Sequence, residues 1–214
     1  YVKQGDDFNN ITPIRKTSTN SITFAATDGS STVVVTDSSH GAVTGDTVTF
    51  AQAVSLGGVI TATVLNQTYI VNKALTTNTY NIIAKDTSGS TVTANSSDSG
   101  NGGSGVDGSY EINVGLDIYV KGTGWGAGTW GAGGFGSVST IDPVNQLRLW
   151  SQDNFGDDLI SNIRSGGIFY WDESEGVTER AIPFTSLTNA SAPPTAALQI
   201  MVSDIDRHII CFGA

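Results

Sequence analysis

From Ser21 to Ala84 apolar and polar side chains alternate one by one, in short runs cut by glycine, aspartate or asparagine. Ile22, Phe24 and Ala26 alternate with Thr23 and Ala25. Thr32-Val33-Val34-Val35-Thr36 is a compact β-branched run, and Thr47-Val48-Thr49-Phe50 alternates again. Val59 to Val64 mixes Val, Ile, Ala and Thr in the same manner. Gln67-Thr68-Tyr69-Ile70-Val71 and Thr79-Tyr80-Asn81-Ile82-Ile83 flank Thr76-Thr77-Asn78, a hairpin turn. A period of two puts every second side chain on one face, the pattern of half-buried strands. The breaks at Asp28-Gly29, His40-Gly41, Gly45-Asp46 and Gly57-Gly58 are turn chemistry. Strand centres fall about 10–15 residues apart, the spacing of a small β-barrel or sandwich. The expected fold class is all-β.

Composition agrees. Glycine (26) and threonine (26) abound, and only 14% of residues are charged, against about 25% in an average domain. A coiled coil, a helical bundle and a collagen are excluded. A hydrophobic share of 38% also excludes a charge-rich disordered tail. No run of about 18 apolar residues exists to form a transmembrane helix. Twenty acids against ten bases give a net charge of −10, and no basic run occurs. Broad gripping of nucleic-acid phosphates or anionic lipid is disfavoured on that ground. The one cysteine, Cys211, cannot form an internal disulfide; within His208-Ile209-Ile210-Cys211-Phe212 it reads as a small buried hydrophobe.

Four segments follow from these patterns. Residues 1–16 read as an extended strand or linker, with Asn10-Ile11-Thr12-Pro13-Ile14-Arg15 as one extended stretch. Residues 17–115 read as a β-barrel or sandwich module, with a flexible Ser/Gly loop at 86–108. Residues 116–145 are Gly- and Trp-rich. Residues 146–214 read as antiparallel blade strands: Leu147-Arg148-Leu149-Trp150, a turn at 153–157, Ile168-Phe169-Tyr170-Trp171-Asp172, Arg180-Ala181-Ile182-Pro183-Phe184, Ala197 to Val202, and His208 to Phe212. Short strands ending in polar turns, with Trp-Asp at 171–172, are what propeller blades look like. Blades need neighbours to bury their faces. With a first residue Tyr1 and an end just after Phe212, the expectation is a piece of a longer polypeptide.

The residues from Asp37 to Ala84 resemble a small β-domain recurrent in phage tail proteins. The resemblance rests on Ser39-His40-Gly41, Thr44-Gly45-Asp46-Thr47-Val48-Thr49-Phe50, Leu65-Asn66-Gln67-Thr68-Tyr69-Ile70-Val71 and Asn78-Thr79-Tyr80. The flanks, Asn10 to Arg15, Gln146-Leu147-Arg148-Leu149-Trp150-Ser151 and Gly167 to Asp172, are similar to the propeller-bearing tail proteins of short-tailed phages, of the nozzle or packaged-DNA stabilisation type. The resemblance implies a structural virion protein located in the tail, with the module at 17–115 inserted into a propeller. It also implies a homo-oligomer touching other tail proteins, with packaged DNA as a transient contact, no small-molecule substrate and no cofactor. It implies no enzyme. The alternative function is a host-surface glycan-binding module.

Candidate chemistry is sparse. His40 lies near Ser, Gly and Asp, but no Gly-x-Ser-x-Gly elbow exists; the expectation is a turn histidine bonded to backbone. His208 reads as a strand residue. Four acid pairs, Asp6-Asp7, Asp157-Asp158, Glu173 with Glu175 and Asp204 with Asp206, sit in turn contexts and read as solvated. Asp153 to Asp158 is dense in oxygen ligands but lacks the calcium-loop pattern. No spacing suits zinc. Catalytic and metal residues are therefore expected to be none. Trp125, Trp130 and Phe135, five residues apart in an uncharged Gly-rich segment, admit a sugar platform, a subunit interface, or packing within their own domain.

Overall fold

The computed structural model describes residues 1–114, 149–188, 190–203 and 205–214. The chain folds into two compact units: 12–113, and 1–11 with 114–214. Strand content dominates and every strand pairing among the described residues is antiparallel.

The chain begins with a hairpin, β1 (Val2–Gln4) and β2 (Asp7–Asn9). It then enters unit 12–113. Strand β3 (Ile14–Ser18) starts directly after Pro13, whose ring nitrogen has no proton for a ladder. Next come β4 (Thr23–Ala26), β5 (Thr32–Thr36) and β6 (Thr47–Ala51). A single helical turn, α1 (Ala62–Leu65), precedes β7 (Thr68–Ile70), β8 (Lys73–Ala74) and β9 (Thr79–Ile83). Strands β10 (Asp98–Asn101) and β11 (Asp107–Glu111) close the unit. They form two sheets, β10-β4-β5-β9-β8 and β3-β11-β6-β7. This is an open sandwich, not a closed barrel.

The alternation read from the sequence is what the sandwich uses. In β4, β5, β6 and β9 every second residue is buried. Phe24, Val33, Val35, Val48, Phe50 and Ile82 from both sheets meet in one core. Phe24 packs edge-on against Phe50 with ring centroids 5.0 Å apart, a geometry that matches a ring's positive edge to its partner's negative face. Gly108 sits where a side chain would collide with the core: a Cβ there would lie 2.4 Å from Ile22 Cδ1.

Two expectations are corrected in this unit. The run Val59 to Val64 is not a strand; its second half is α1. Side chains decide the outcome. Thr61 Oγ1 accepts the Val64 N–H, while Gln67 Nε2 donates to the Thr63 and Val64 carbonyls and the Tyr69 hydroxyl donates to the Val64 carbonyl. The ends of one short turn are thereby satisfied, which β-branched propensity alone cannot outweigh. The run 86–108 is also not simply a flexible loop. It contains β10, which pairs with β4 at Ala26 and Phe24, and the fully buried Val106. Gly102 serves close approach: it has φ +108° and a Cβ there would lie 2.6 Å from the Phe24 ring, while its carbonyl accepts the Val54 N–H at 2.8 Å.

In the other unit, β12 (Trp150–Phe155), β13 (Asp158–Ile163), β14 (Ile168–Trp171) and β15 (Ile182–Pro183) form a sequential four-stranded meander. That is the strand order of a blade. Strand β12 runs through Asp153 to Phe155, and Phe155 pairs with Asp158, so the turn expected at 153–157 narrows to Gly156-Asp157. Strands β16 (Gln199–Ser203) and β17 (His208–Phe212) form a separate hairpin. Ile160, Ile168, Ala197, Ile200 and Val202 share its core with the meander. Side chains of β12 hold β16: Ser151 Oγ accepts the Ile200 N–H at 3.1 Å and Asp153 Oδ2 accepts the Val202 N–H at 2.7 Å. The strand start expected at Leu147-Arg148 lies outside the described residues.

Candidate functional site

Within unit 12–113 four of the resemblance residues, Arg15, His40, Asp46 and Tyr80, meet in a polar clasp around the buried Asp37. Asp37 is 2% exposed. Its Oδ2 accepts the Ser18 and Tyr110 hydroxyls, each at 2.7 Å, and lies 3.5 Å from the Lys16 ammonium. Because Tyr110 spends its proton on Asp37, the Tyr80 hydroxyl donates to Tyr110 at 3.0 Å. Burial is the main cause that pushes both phenols above the ordinary tyrosine value of 10.0.

His40 packs edge-on against Tyr80 with centroids 4.8 Å apart. Its Nδ1 accepts the Ala42 N–H at 2.8 Å, so the proton sits on Nε2, which donates to the Thr76 carbonyl at 3.1 Å. Arg15 completes the clasp. One of its amino groups donates to the His40 carbonyl at 3.0 Å and the other to Asp46 Oδ2 at 3.2 Å. Asp46 also accepts the Val43 N–H and the Asn113 amide. Nearly every donor and acceptor of the clasp is directed inward at another protein group. It joins β3, β9 and β11 to the loop 37–46, and it presents no reacting group to solvent.

An open cleft of about 240 Å³ lies instead in the second unit, beside β14 and β15. Tyr170 stands opposite Ile182 in the ladder, with Asp172 just after β14 and Arg180 just before β15. These four residues line the cleft with Glu175 and Leu187. Asp172 caps the 3-10 turn Glu173–Glu175: its Oδ1 accepts the Ser174 N–H and hydroxyl. The Tyr170 hydroxyl donates to Asp158 Oδ2 at 2.5 Å, and Asp158 Oδ1 accepts the Glu173 N–H at 3.0 Å. Desolvation first, then the Asp158 hydrogen bond and charge, with Asp172 and Glu175 adding to it, push the Tyr170 phenol well above its ordinary value.

Trp125, Trp130 and Phe135 lie outside the described residues. His208 is an exposed strand residue, and Cys211 is half-buried, its thiol pushed up by desolvation. In the oxygen-dense stretch, Asp153 binds the Val202 and Asn154 N–H groups and Asp158 binds Tyr170 and Glu173. Among the described residues no three His, Cys, Asp or Glu side chains converge as a metal site would require. The cleft escapes a motif reading because its residues answer to ladder register rather than spacing. The available signal is Tyr170-Trp171-Asp172 followed by Arg180-Ala181-Ile182, two alternating triplets at the end of β14 and the start of β15.

No family model and no curated protein matches the sequence. Among solved structures, the chain is similar to "Phage phi92 endosialidase", with a TM-score of 0.37 and 15% identity. The alignment covers 90% of this chain and 27% of that one, so the chain spans about a quarter of that protein's length.

Proposed function

We propose that this chain is a structural component of a phage tail, of the nozzle or hub type, assembling with further copies of itself and with other tail proteins. The resemblance at 10–15, 37–84, 146–151 and 167–172 supports the reading. One observation carries it: the resemblance residues His40, Asp46, Tyr69 and Tyr80 are all buried, and His40, Asp46 and Tyr80 belong to the clasp described above. What these residues maintain is a stiff β-module rather than a reaction centre. A rigid body of that kind suits a part that holds geometry in an assembly. The net charge of −10 suits a wall along which DNA passes without adhering.

Cryo-electron microscopy of the virus particle tests this directly. The two-sheet unit 12–113 is large enough to be recognised in density, and it is expected in the tail, repeated by the tail's rotational symmetry. Density for it in the capsid shell, or its absence from purified particles by mass spectrometry, refutes the proposal. The glycan reading at Trp125 and Trp130 rests on residues outside the described ones, and nothing in the clasp favours it.

A further inference from the structure

Asn101 is the only asparagine of the sequence that is followed by glycine. It ends β10, an edge strand whose register with β4 slips between Asp98 and Asn101. Asn101 is exposed. Gly102, one residue past the strand, turns to φ +108°. Its N–H donates to Asn101 Oδ1 at 3.1 Å, so the carboxamide is folded back onto the amide that follows it. The other end of the carboxamide is held as well: Nδ2 donates to Asp98 Oδ2 at 2.8 Å. Other asparagines are placed differently. Asn66 exchanges two hydrogen bonds with Ala53, and Asn162 donates to the Ala197 carbonyl. Asn95 is exposed, but Ser96 follows it and its Oδ1 accepts the Val59 N–H at 3.2 Å.

An amide nitrogen beside a carboxamide is a nucleophile for it once its proton is lost, and glycine carries no Cβ to crowd that approach. Rotation about χ2, a soft torsion in asparagine, turns Cγ toward the Gly102 nitrogen. Hydroxide takes the Gly102 amide proton, and the nitrogen attacks Asn101 Cγ. The bond from Cγ to Nδ2 breaks, and Nδ2 takes a proton from water and leaves as ammonia. A five-membered succinimide closes. Water then opens the ring at one of two carbonyls. Attack at Cγ gives aspartate in the normal chain; attack at the main-chain carbonyl carbon gives isoaspartate, with the chain running through Cγ. The sum is carboxamide plus water giving carboxylic acid plus ammonia, with nothing oxidised or reduced. Isoaspartate lengthens the main chain by one C–C bond, about 1.5 Å. The insertion falls just before Gly102, where a Cβ would lie 2.6 Å from the Phe24 ring and where the carbonyl holds the Val54 N–H. It also sets a new carboxylate where Asp98 had a donor, and like charges repel.

We propose that Asn101 is a self-modification site, at which the chain loses ammonia, passes to isoaspartate and releases the end of β10 from Val54. The chemistry is independent of where the chain sits in an assembly, so this site and the tail role fail or stand separately.

The test is incubation of the intact chain in slightly alkaline buffer made with oxygen-18 water, followed by digestion and mass mapping of every asparagine. Residue 101 is expected to convert before any other, to take up heavy oxygen, and to yield more isoaspartate than aspartate, as read by isoaspartyl methyltransferase labelling. Asn101→Gln, which has to close a six-membered ring, is expected to slow conversion at that position by at least about tenfold. Asp98→Ala, which removes the acceptor that restrains χ2, is expected to speed conversion about three- to tenfold. The amide spectrum checks the fold of each variant. Hydrogen exchange of the Val54 amide reads the consequence: its protection is expected to fall at least about tenfold in the isoaspartyl form, and less in Asn101→Asp, which carries the charge without the longer chain. Earlier conversion of Asn95 or any other asparagine overturns the proposal. So do a residue 101 that keeps its amide, aspartate in excess of isoaspartate, slower conversion in Asp98→Ala, undiminished conversion in Asn101→Gln, or equal Val54 protection in the isoaspartyl form and Asn101→Asp.

Discussion

Replacing Tyr110 by phenylalanine removes one oxygen atom from the centre of the clasp and leaves the core volume almost unchanged. The phenol is fully buried, donates to Asp37 at 2.7 Å and accepts from Tyr80 at 3.0 Å. A hydrogen bond to a charged group contributes about 1.5–3 kcal/mol, and a buried donor left without an acceptor costs about 1 kcal/mol or more. The expected destabilisation of unit 12–113 is therefore about 3 kcal/mol. For a domain of this size that lowers its Tm by roughly 15 °C. Asp37→Ala is expected to cost more, about 4–5 kcal/mol, because it strands the Ser18 and Tyr110 hydroxyls together. Lys16 adds little to that figure, being more exposed than its partner. The double variant should fall short of the sum by at least about 1 kcal/mol, since both changes break the same bond. The measurement is urea unfolding of the whole chain followed by two signals. All four tryptophans lie outside 12–113, so tryptophan fluorescence follows the other unit, and the amide NMR signals of β5 and β9 follow this one. A shift below about 0.5 kcal/mol for Tyr110→Phe, strict additivity in the double variant, or movement of the tryptophan transition instead would refute the reasoning.

Alkali should attack the same unit. Tyr80 and Tyr110 hold their protons in the folded state above the value of 10.0 that they have when unfolded, so stability is intact below pH 10 and falls as pH rises beyond it, by about 1.4 kcal/mol per pH unit for each phenol; phenolate absorbance rising near pH 10 in the folded protein would contradict this. Gly108→Ala is expected to cost about 2 kcal/mol by overpacking against Ile22, and Ile22→Val, which deletes the colliding methyl, should recover part of it in the same unfolding assay. Asp153→Ala frees the Val202 N–H and should lower the stability of the tryptophan-bearing unit by about 2 kcal/mol, with Asp153→Asn intermediate by fluorescence-detected unfolding. A fragment of residues 12–113 should fold alone, because its ends leave side by side where the Ile112 N–H meets the Pro13 carbonyl at 2.9 Å; a collapsed amide spectrum for that fragment would show otherwise.

What was legible in the sequence is what depends on neighbours along the chain. Alternation placed β4, β5, β6 and β9; the Thr76-Thr77-Asn78 turn does lead into β9, but it joins it to β8, while β7, the 67–71 run expected to flank that turn, pairs with β6 in the other sheet. Two segments misled for the same reason. Val59 to Val64 has strand composition, yet Gln67 and Tyr69, beyond its end, bind its carbonyls and stabilise a helical turn. The Ser/Gly run 96–105 lacks apolar side chains of its own, yet β4 lends it a ladder and Phe24 needs the space at Gly102. In both cases the deciding partner is supplied by another part of the chain. The clasp is the extreme instance: Asp37 and Tyr110 are 73 residues apart.

That distance also explains why Ser, His and Asp in one module do not amount to a reaction centre here. A histidine acts as a base through one ring nitrogen while the other is oriented by a partner. His40 has both nitrogens occupied by backbone, Nδ1 by the Ala42 N–H and Nε2 by the Thr76 carbonyl. The serine hydroxyl of the clasp, on Ser18, points its proton at Asp37 rather than at a histidine. The same three residue types are thus arranged so that each saturates a backbone or carboxylate group, and the energy goes into fixing the loop 37–46 against β3, β9 and β11. Breaking the His40 bond to Thr76 should therefore loosen a hairpin and not abolish a reaction.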